Sequence, residues 1–337
     1  MRTRRVFYVL LLGMMAAKFG HAQTNVATTM GEFLLIEPSS RLSGMGNAGV
    51  GFACEPISAY YNPAALAVLP SFGVQFTHSL WLADIMYDYA IAKIPVDASS
   101  SAMVNVTSLR SGDIAVRTVD QPLGTGENYS VSDLAFGVGY ALKVTDRVAI
   151  GVQVTYLQES IWHDQASAFA INLGTYYQLT QSGIAIGASL SNFGTNGTFS
   201  GRDLQVLYNP DPAVHGENSA LPAAVSTDSY GLPVIFRVGV GVPIHLADAF
   251  DLELVTDAFH PNNNTESISV GGELTFSQIF SARIGYQNLF EKDSEVGLSA
   301  GIGVLVELSG SDVRFDFGWT QYGRLGDVQR MTLGLSF

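Results

Sequence analysis

An all-β transmembrane barrel is the fold class this sequence predicts, and three observations predict it. Hydrophobic residues make up 47% of the 337 residues and charged residues only 14%, with a mean hydropathy of +0.23. Yet beyond the first 22 residues no apolar run approaches the roughly 18 that a membrane helix requires. From about residue 129 onward, large apolar side chains alternate with small or polar ones, which is the period of a strand and not of a helix.

Residues 1–22 read as a secretory signal peptide. Arg2, Arg4 and Arg5 precede the apolar run Val6 to Ala17, and Gly20-His21-Ala22 places small residues before a cut after Ala22. A single membrane anchor is disfavoured by the shortness of the run and by Lys18 at its end. No cysteine follows the cut, so a lipoprotein is excluded. Removing four basic and no acidic residues takes the net charge from −13 to −17.

Residues 23–70 do not alternate. They hold Gly44-Met45-Gly46-Asn47-Ala48-Gly49 and then Ser58 to Leu66, a small-residue stretch ahead of the first strand. Such a segment fits a hatch folded inside a barrel, where glycines permit close backbone approach. The candidate hatch residues are Arg41, Gly44, Gly46, Gly49, Tyr61, Asn62 and Pro63. A dinucleotide loop is rejected for the glycine run, because no strand–helix unit follows it.

Residues 71–337 read as the barrel wall. Leu134, Phe136, Val138, Tyr140 and Leu142 share one parity, and Asp133, Ala135, Gly137, Gly139 and Ala141 share the other. The scheme repeats in Val148 to Tyr156, in Val234 to Val242, in Val296 to Val306 and in Met331 to Phe337. A soluble barrel would turn the apolar set inward; a membrane barrel turns it to lipid. The membrane version is favoured because the second face carries Gly, Ala and Ser instead of the Lys and Glu of a soluble surface. Tyr140, Tyr156, Tyr177, Tyr286 and Trp319 suit interface girdles at strand ends. About fourteen strands are expected, near residues 71–78, 81–92, 100–109, 129–143, 146–159, 165–178, 182–193, 233–244, 250–258, 266–276, 279–288, 295–308, 312–319 and 329–337. An even number returns both termini to one side, where the turns are short.

On the inward parity lie Arg147, Arg237, Asp251, Glu253, Asp257, Glu273, Arg283, Glu307, Arg314 and Asp316. Pairing with one another and with the hatch is the favoured role, since buried charges need partners; lining a conduit is the alternative. Residues 194–232 form the longest strandless segment. Its apolar Leu204, Val206, Leu207, Tyr208 and Leu221 lie beside Pro210, Pro212, Pro222, Asp203, Asp211 and Glu217. They fit either a lid over the barrel mouth or anchors of a protein-docking surface.

Several function classes drop out. With 17 basic against 30 acidic residues, the chain repels nucleic acid. The single cysteine, Cys54, removes a disulfide framework. The histidines are scattered without metal-ligand spacing. No Gly-x-Ser-x-Gly elbow appears, so no enzyme and no cofactor is expected.

The stretches Gly31 to Ile36, Ser40 to Val50 and Tyr60 to Ala64 resemble the start of the PorV/PorQ family of FadL-like outer-membrane barrels. Trp81 to Tyr89, Asp146 to Gly151, Ser191 to Gly194 and the terminal Leu333-Gly334-Leu335-Ser336-Phe337 resemble it too. The resemblance implies a fourteen-stranded outer-membrane barrel with an N-terminal hatch, at home in Bacteroidota-type bacteria. It implies a non-enzymatic role in type IX secretion, with exported cargo or translocon subunits as partners besides outer-membrane lipid. A FadL-like channel for uptake of hydrophobic small molecules is the alternative, and a purely structural barrel a third.

Overall fold

A computed structural model describes residues 29–209, 221–291 and 294–337. The signal peptide expected at 1–22 lies outside them. The described residues form fourteen long antiparallel strands: β1 (Gly73–Leu80), β2 (Met86–Pro95), β3 (Ser100–Arg110), β4 (Val131–Lys143), β5 (Val148–Ile161), β6 (Asp164–Gln178), β7 (Ala185–Gly194), β8 (Ile235–Ala247), β9 (Phe250–Pro261), β10 (Ser267–Phe276), β11 (Phe280–Leu289), β12 (Leu298–Leu308), β13 (Ser311–Gln321) and β14 (Asp327–Ser336). Each pairs with its neighbours, and β14 pairs with β1 from Gly73↔Ser336 to Leu80↔Gln329, so the sheet closes on itself. Closure leaves no open edge, the condition for a sheet to sit in hydrocarbon. Among the described residues no helix is long and apolar enough to cross a membrane.

The alternation sorts as expected. Phe76, Leu134, Phe136, Ile150, Phe169, Ile284, Ile302 and Leu333 are all exposed on the outer wall. Gln75, Thr77, Asn105, Gln153, Ser189, Arg237, Asp257, Glu273, Arg283 and Thr332 are buried on the inner one. A soluble protein shows the reverse, so the wall is built to face an apolar solvent.

Short turns of two to six residues join the strands at one end of the barrel, for example Ser309-Gly310 between β12 and β13. The longest connections, 111–130 and 195–234, leave the other end. These are the turn end and the loop end below.

Three expectations are corrected, and one strand shows an irregularity. The second strand begins at Met86, not 81, because Ala83 and Asp84 adopt positive φ (56° and 60°) and curl Trp81–Ile85 into a loop. Tyr156 lies mid-strand against Phe169, with ring centroids 5.3 Å apart, and not in a girdle. Arg147 and Glu307 are exposed near the turn end, not held in the lumen. In β7 the register slips between Ile171↔Phe193 and Leu173↔Leu190, where Asn192 takes φ 61°. Its freed N–H goes to Asn172 Oδ1 at 2.7 Å, which satisfies the bulge.

Residues 29–70 run through the lumen. Met30 N donates to Gly231 O at 2.9 Å at the loop end, and Lys93 Nζ donates to Leu69 O (2.6 Å) and Ser71 O (2.8 Å) at the turn end. Between these points the chain makes short 3₁₀ turns and one short helix, Ser40–Ser43, whose first turn is capped by Ser39 accepting from Leu42 N.

Candidate functional site

The lumen is packed, and inward glycines set how tightly. The backbone of the N-terminal segment presses on a ring of them: Ser40 on Gly318, Met45 on Gly271, Gly46 on Gly285, Val50 on Gly187, Gly51 on Gly239, and Pro63-Ala64 on Gly151. A Cβ on Gly318 would stand 2.6 Å from Ser40 O, inside van der Waals contact. These positions look like weak strand formers in isolation, and they are seats for backbone.

Charge locks the segment in place. Arg41 meets Glu273 with both ends of its guanidinium, Nε at 2.9 Å. Arg283 also meets Glu273, and it reaches Asp316 at 2.7 Å. Arg314 joins Asp316 at 3.0 Å and Glu273 at 3.8 Å. One buried carboxylate thus serves three arginines from the segment and from two strands. A second latch is Arg330 on β14, fully buried, which donates to Glu37 O (3.0 Å) and Glu37 Oε2 (2.7 Å) beneath the Trp81 ring. Asp257 Oδ2 accepts from the N–H of Gly49 (2.7 Å) and Val50 (3.0 Å). Ser40 and Thr77 hydroxyls both meet Thr332 Oγ1, at 2.8 and 2.7 Å.

The other residues picked from the sequence fall in the same mass. Asn62 caps the Pro63–Ala67 turn by accepting from Ala64 N, and its Nδ2 donates to Val50 O (3.0 Å) and Thr175 O (2.8 Å). Tyr61 is fully buried, edge-on to Tyr60 with centroids 5.0 Å apart. Gly44 lies on the backbone of Gly301, and Gly46 takes φ +73°. In the lumen a void of about 30 Å³ lies between Tyr60, Tyr89, Asn105, Gln153 and Arg237. That is room for a water or two, lined by polar groups.

At the loop end the apolar candidates form a ribbon. Gln205–Tyr208 pairs antiparallel with Leu221–Ala224, setting Val206 opposite Ala223, Leu207 opposite Pro222 and Tyr208 opposite Leu221. Val206, Tyr208 and Leu221 share one face; Leu207 and Pro222 share the other. Both faces are apolar and both are bare: Leu207 is 76% exposed and Tyr208 57%. Leu204 stands apart at the ribbon's base, where with Ile114, Tyr129, Trp162 and Phe199 it lines a groove of about 820 Å³ against the 111–130 loop.

The sequence profile of the family described as type IX secretion system protein PorV matches residues 19–194, more than half of the chain. The chain belongs to the PorV family. No curated protein matches it. Among solved structures it resembles a deltaS2S3 mutant of the TodX monoaromatic hydrocarbon channel (10% identity, 88% of this chain and 97% of that one, TM-score 0.56). It also resembles a FadL homologue from Pseudomonas aeruginosa (11%, 94% and 99%, 0.55) and the toluene transporter TodX from Pseudomonas putida (11%, 89% and 98%, 0.54). At such identities the likeness carries the fold: a closed barrel of FadL type.

In this PorV-family barrel, the sequence assigned no partner to Glu37, Lys93, Trp81 or Arg330. The parity of Arg330 placed it inward, but nothing local marks its partner 293 residues away. Cys54 reports on the packed segment. Its thiol is only partly exposed and lies 3.5 Å from Ser58 Oγ, in the segment packed against the lumen wall. Maleimide labelling at pH 8 of the folded protein in detergent is therefore expected to be slow, and to become fast on unfolding. Equal rates in both states would contradict the packing.

Proposed function

We propose that this barrel is a non-enzymatic outer-membrane component of a type IX-like protein secretion system. It docks exported proteins or translocon subunits at its loop end. In this reading residues 1–22 are cleaved as a signal peptide, residues 23–70 are the hatch, and 71–337 span the outer membrane with the loop end outside the cell. The observation that carries it is the ribbon of Val206, Leu207, Tyr208 and Leu221, apolar on both faces and exposed at the loop end of a filled barrel. An isolated two-stranded ribbon is marginal in water, so one with two greasy faces needs a partner surface.

Uptake of hydrophobic small molecules, the work named for the TodX channels, is the second reading. It needs an apolar chamber leading through the lumen. The central void of about 30 Å³ with its amide, hydroxyl and guanidinium lining disfavours it.

Deleting residues 203–222 is expected to leave the barrel heat-modifiable on gel electrophoresis and to abolish co-purification of its protein partners in mild detergent. Recovery of the same partners without that segment would remove the ribbon from the proposal. Co-purified hydrophobic ligand in place of protein would favour uptake.

A further inference from the structure

The ribbon at the loop end joins no other sheet: Gln205–Tyr208 and Leu221–Ala224 pair only with each other. Each strand therefore has a free edge, and the register says what each edge carries. Val225 N donates to Leu204 O at 2.8 Å. In an antiparallel ladder, opposed residues joined by such bonds alternate with opposed residues that are not. Along this register Val206–Ala223 and Tyr208–Leu221 are bonded pairs, whereas Gln205–Ala224 and Leu207–Pro222 are not. The backbone N–H and C=O groups of the unbonded pairs point out of the ribbon.

The two edges differ. On the Leu221–Ala224 edge the outward positions are Pro222 and Ala224, and Pro222 has no N–H to offer. A proline at such a position closes an edge to further pairing. On the Gln205–Tyr208 edge the outward positions are Gln205 and Leu207. Gln205 N turns back to Arg202 O at 3.1 Å, while the N–H and C=O of Leu207 have no backbone partner among the described residues. All four residues of this strand are exposed. One edge is blunted and the other stands open.

Charge narrows what can fill it. From Asp203 to Phe236 the sequence carries Asp203, Asp211, Glu217 and Asp228 and no lysine or arginine. Such a loop attracts a basic segment and repels an acidic one.

We propose that the Gln205–Tyr208 edge takes up a β-strand from a partner protein: an extended, apolar segment with basic flanks that pairs with the backbone of Leu207. Main-chain hydrogen bonds give such an addition its hold, and alternate side chains give it selectivity. A third strand also lifts the ribbon out of the marginal stability of a lone pair. The inference rests on docking at the ribbon and names its mode. A second copy of this chain is the competing occupant, which the acidity of both loops disfavours.

For the test, the full-length protein in detergent carries Gln205→Cys and Ala224→Cys. They form an unbonded pair, close enough for a cross-strand disulfide that locks the ribbon. It is titrated with a capped peptide of alternating valine and threonine with a lysine at each end. The same peptide with its inner amides N-methylated, and a version with glutamate at each end, are the comparisons. The lysine peptide is expected to bind saturably and at least tenfold tighter than either. Leu207→Pro, which deletes the outward N–H, is expected to weaken it at least tenfold, and Leu207→Ala, which keeps that N–H, to weaken it less. No binding, equal binding of a comparison peptide, or a locked Leu207→Pro protein that binds as the parent does overturns the proposal. A parent dimer that Leu207→Pro splits overturns it too, and assigns the edge to a second copy. Co-purification separates this from docking itself. Partners kept by Leu207→Pro but lost on deleting 203–222 overturn strand addition and leave docking standing; partners kept by both remove both.

Discussion

Replacing Glu273 with glutamine is expected to destabilise the barrel by about 3–5 kcal/mol, the range for removing one partner of a buried ion pair. Three guanidinium groups converge on that carboxylate, from Arg41, Arg283 and Arg314. Glutamine keeps the shape and loses the charge, leaving Arg283 and Arg314 to share Asp316 and Arg41 without its ion-pair partner. Arg283 is fully buried and Arg41 nearly so, which leaves little solvent to screen them. The complementary change, Arg41→Met, removes a cation and leaves Glu273 paired with Arg283, so a smaller loss is expected. Urea midpoints in lipid vesicles measure both, and a double-mutant cycle gives the coupling between Arg41 and Glu273. An unchanged midpoint for Glu273→Gln would mean that the network stores no stability.

Valine at Gly187 or Gly271 is expected to drive the N-terminal segment out of register while leaving the wall closed. The first new carbon would overlap the Val50 carbonyl in one case and the Met45 carbonyl in the other. Overpacking against movable side chains costs about 1–3 kcal/mol, and here the obstacle is backbone. Neither glycine has a positive φ, so the strand itself accepts the substitution. Gly272, one residue on and turned to the outer wall, is the control; its Cβ would stand 3.2 Å from the flexible end of Leu254 and 3.3 Å from Glu253 O, far looser than at the two test positions. Planar-bilayer conductance should rise for Gly187→Val and Gly271→Val and stay low for Gly272→Ala, and Cys54 labelling should accelerate in parallel. Silent bilayers with slow labelling in all three would show that the segment does not seal the pore.

The wall was legible in the sequence because its code is local. A side chain at position i and another at i+2 share a face whatever the rest of the chain does, so Phe136 and Val138 could be set outward and Gly137 inward from neighbours alone. The lumen was legible only in outline. Parity put Glu273, Arg283 and Asp316 inside, but which cation meets which carboxylate depends on a register built from strands far apart in sequence. Glu37 and Arg330 illustrate the limit: each looks ordinary in its own stretch, and only closure of β14 onto β1 brings them within 2.7 Å. The apolar cluster at the loop end was visible as composition. That four of its five members sit on a two-stranded ribbon while Leu204 lines a groove was not, because Pro210 and Pro212 masked the hairpin signal.

The path of residues 29–70 bears on how the molecule is made. Thr29 bridges to Gly231 at the end farthest from Gly73, so the chain must traverse the full height of the wall before the first strand starts. Its contacts reach Gly151 of β5 and Arg330 of β14 alike, so seating those residues and zipping the seam between the first and last strands draw on the same bonds, and the segment is a mandrel for assembly as much as a filling.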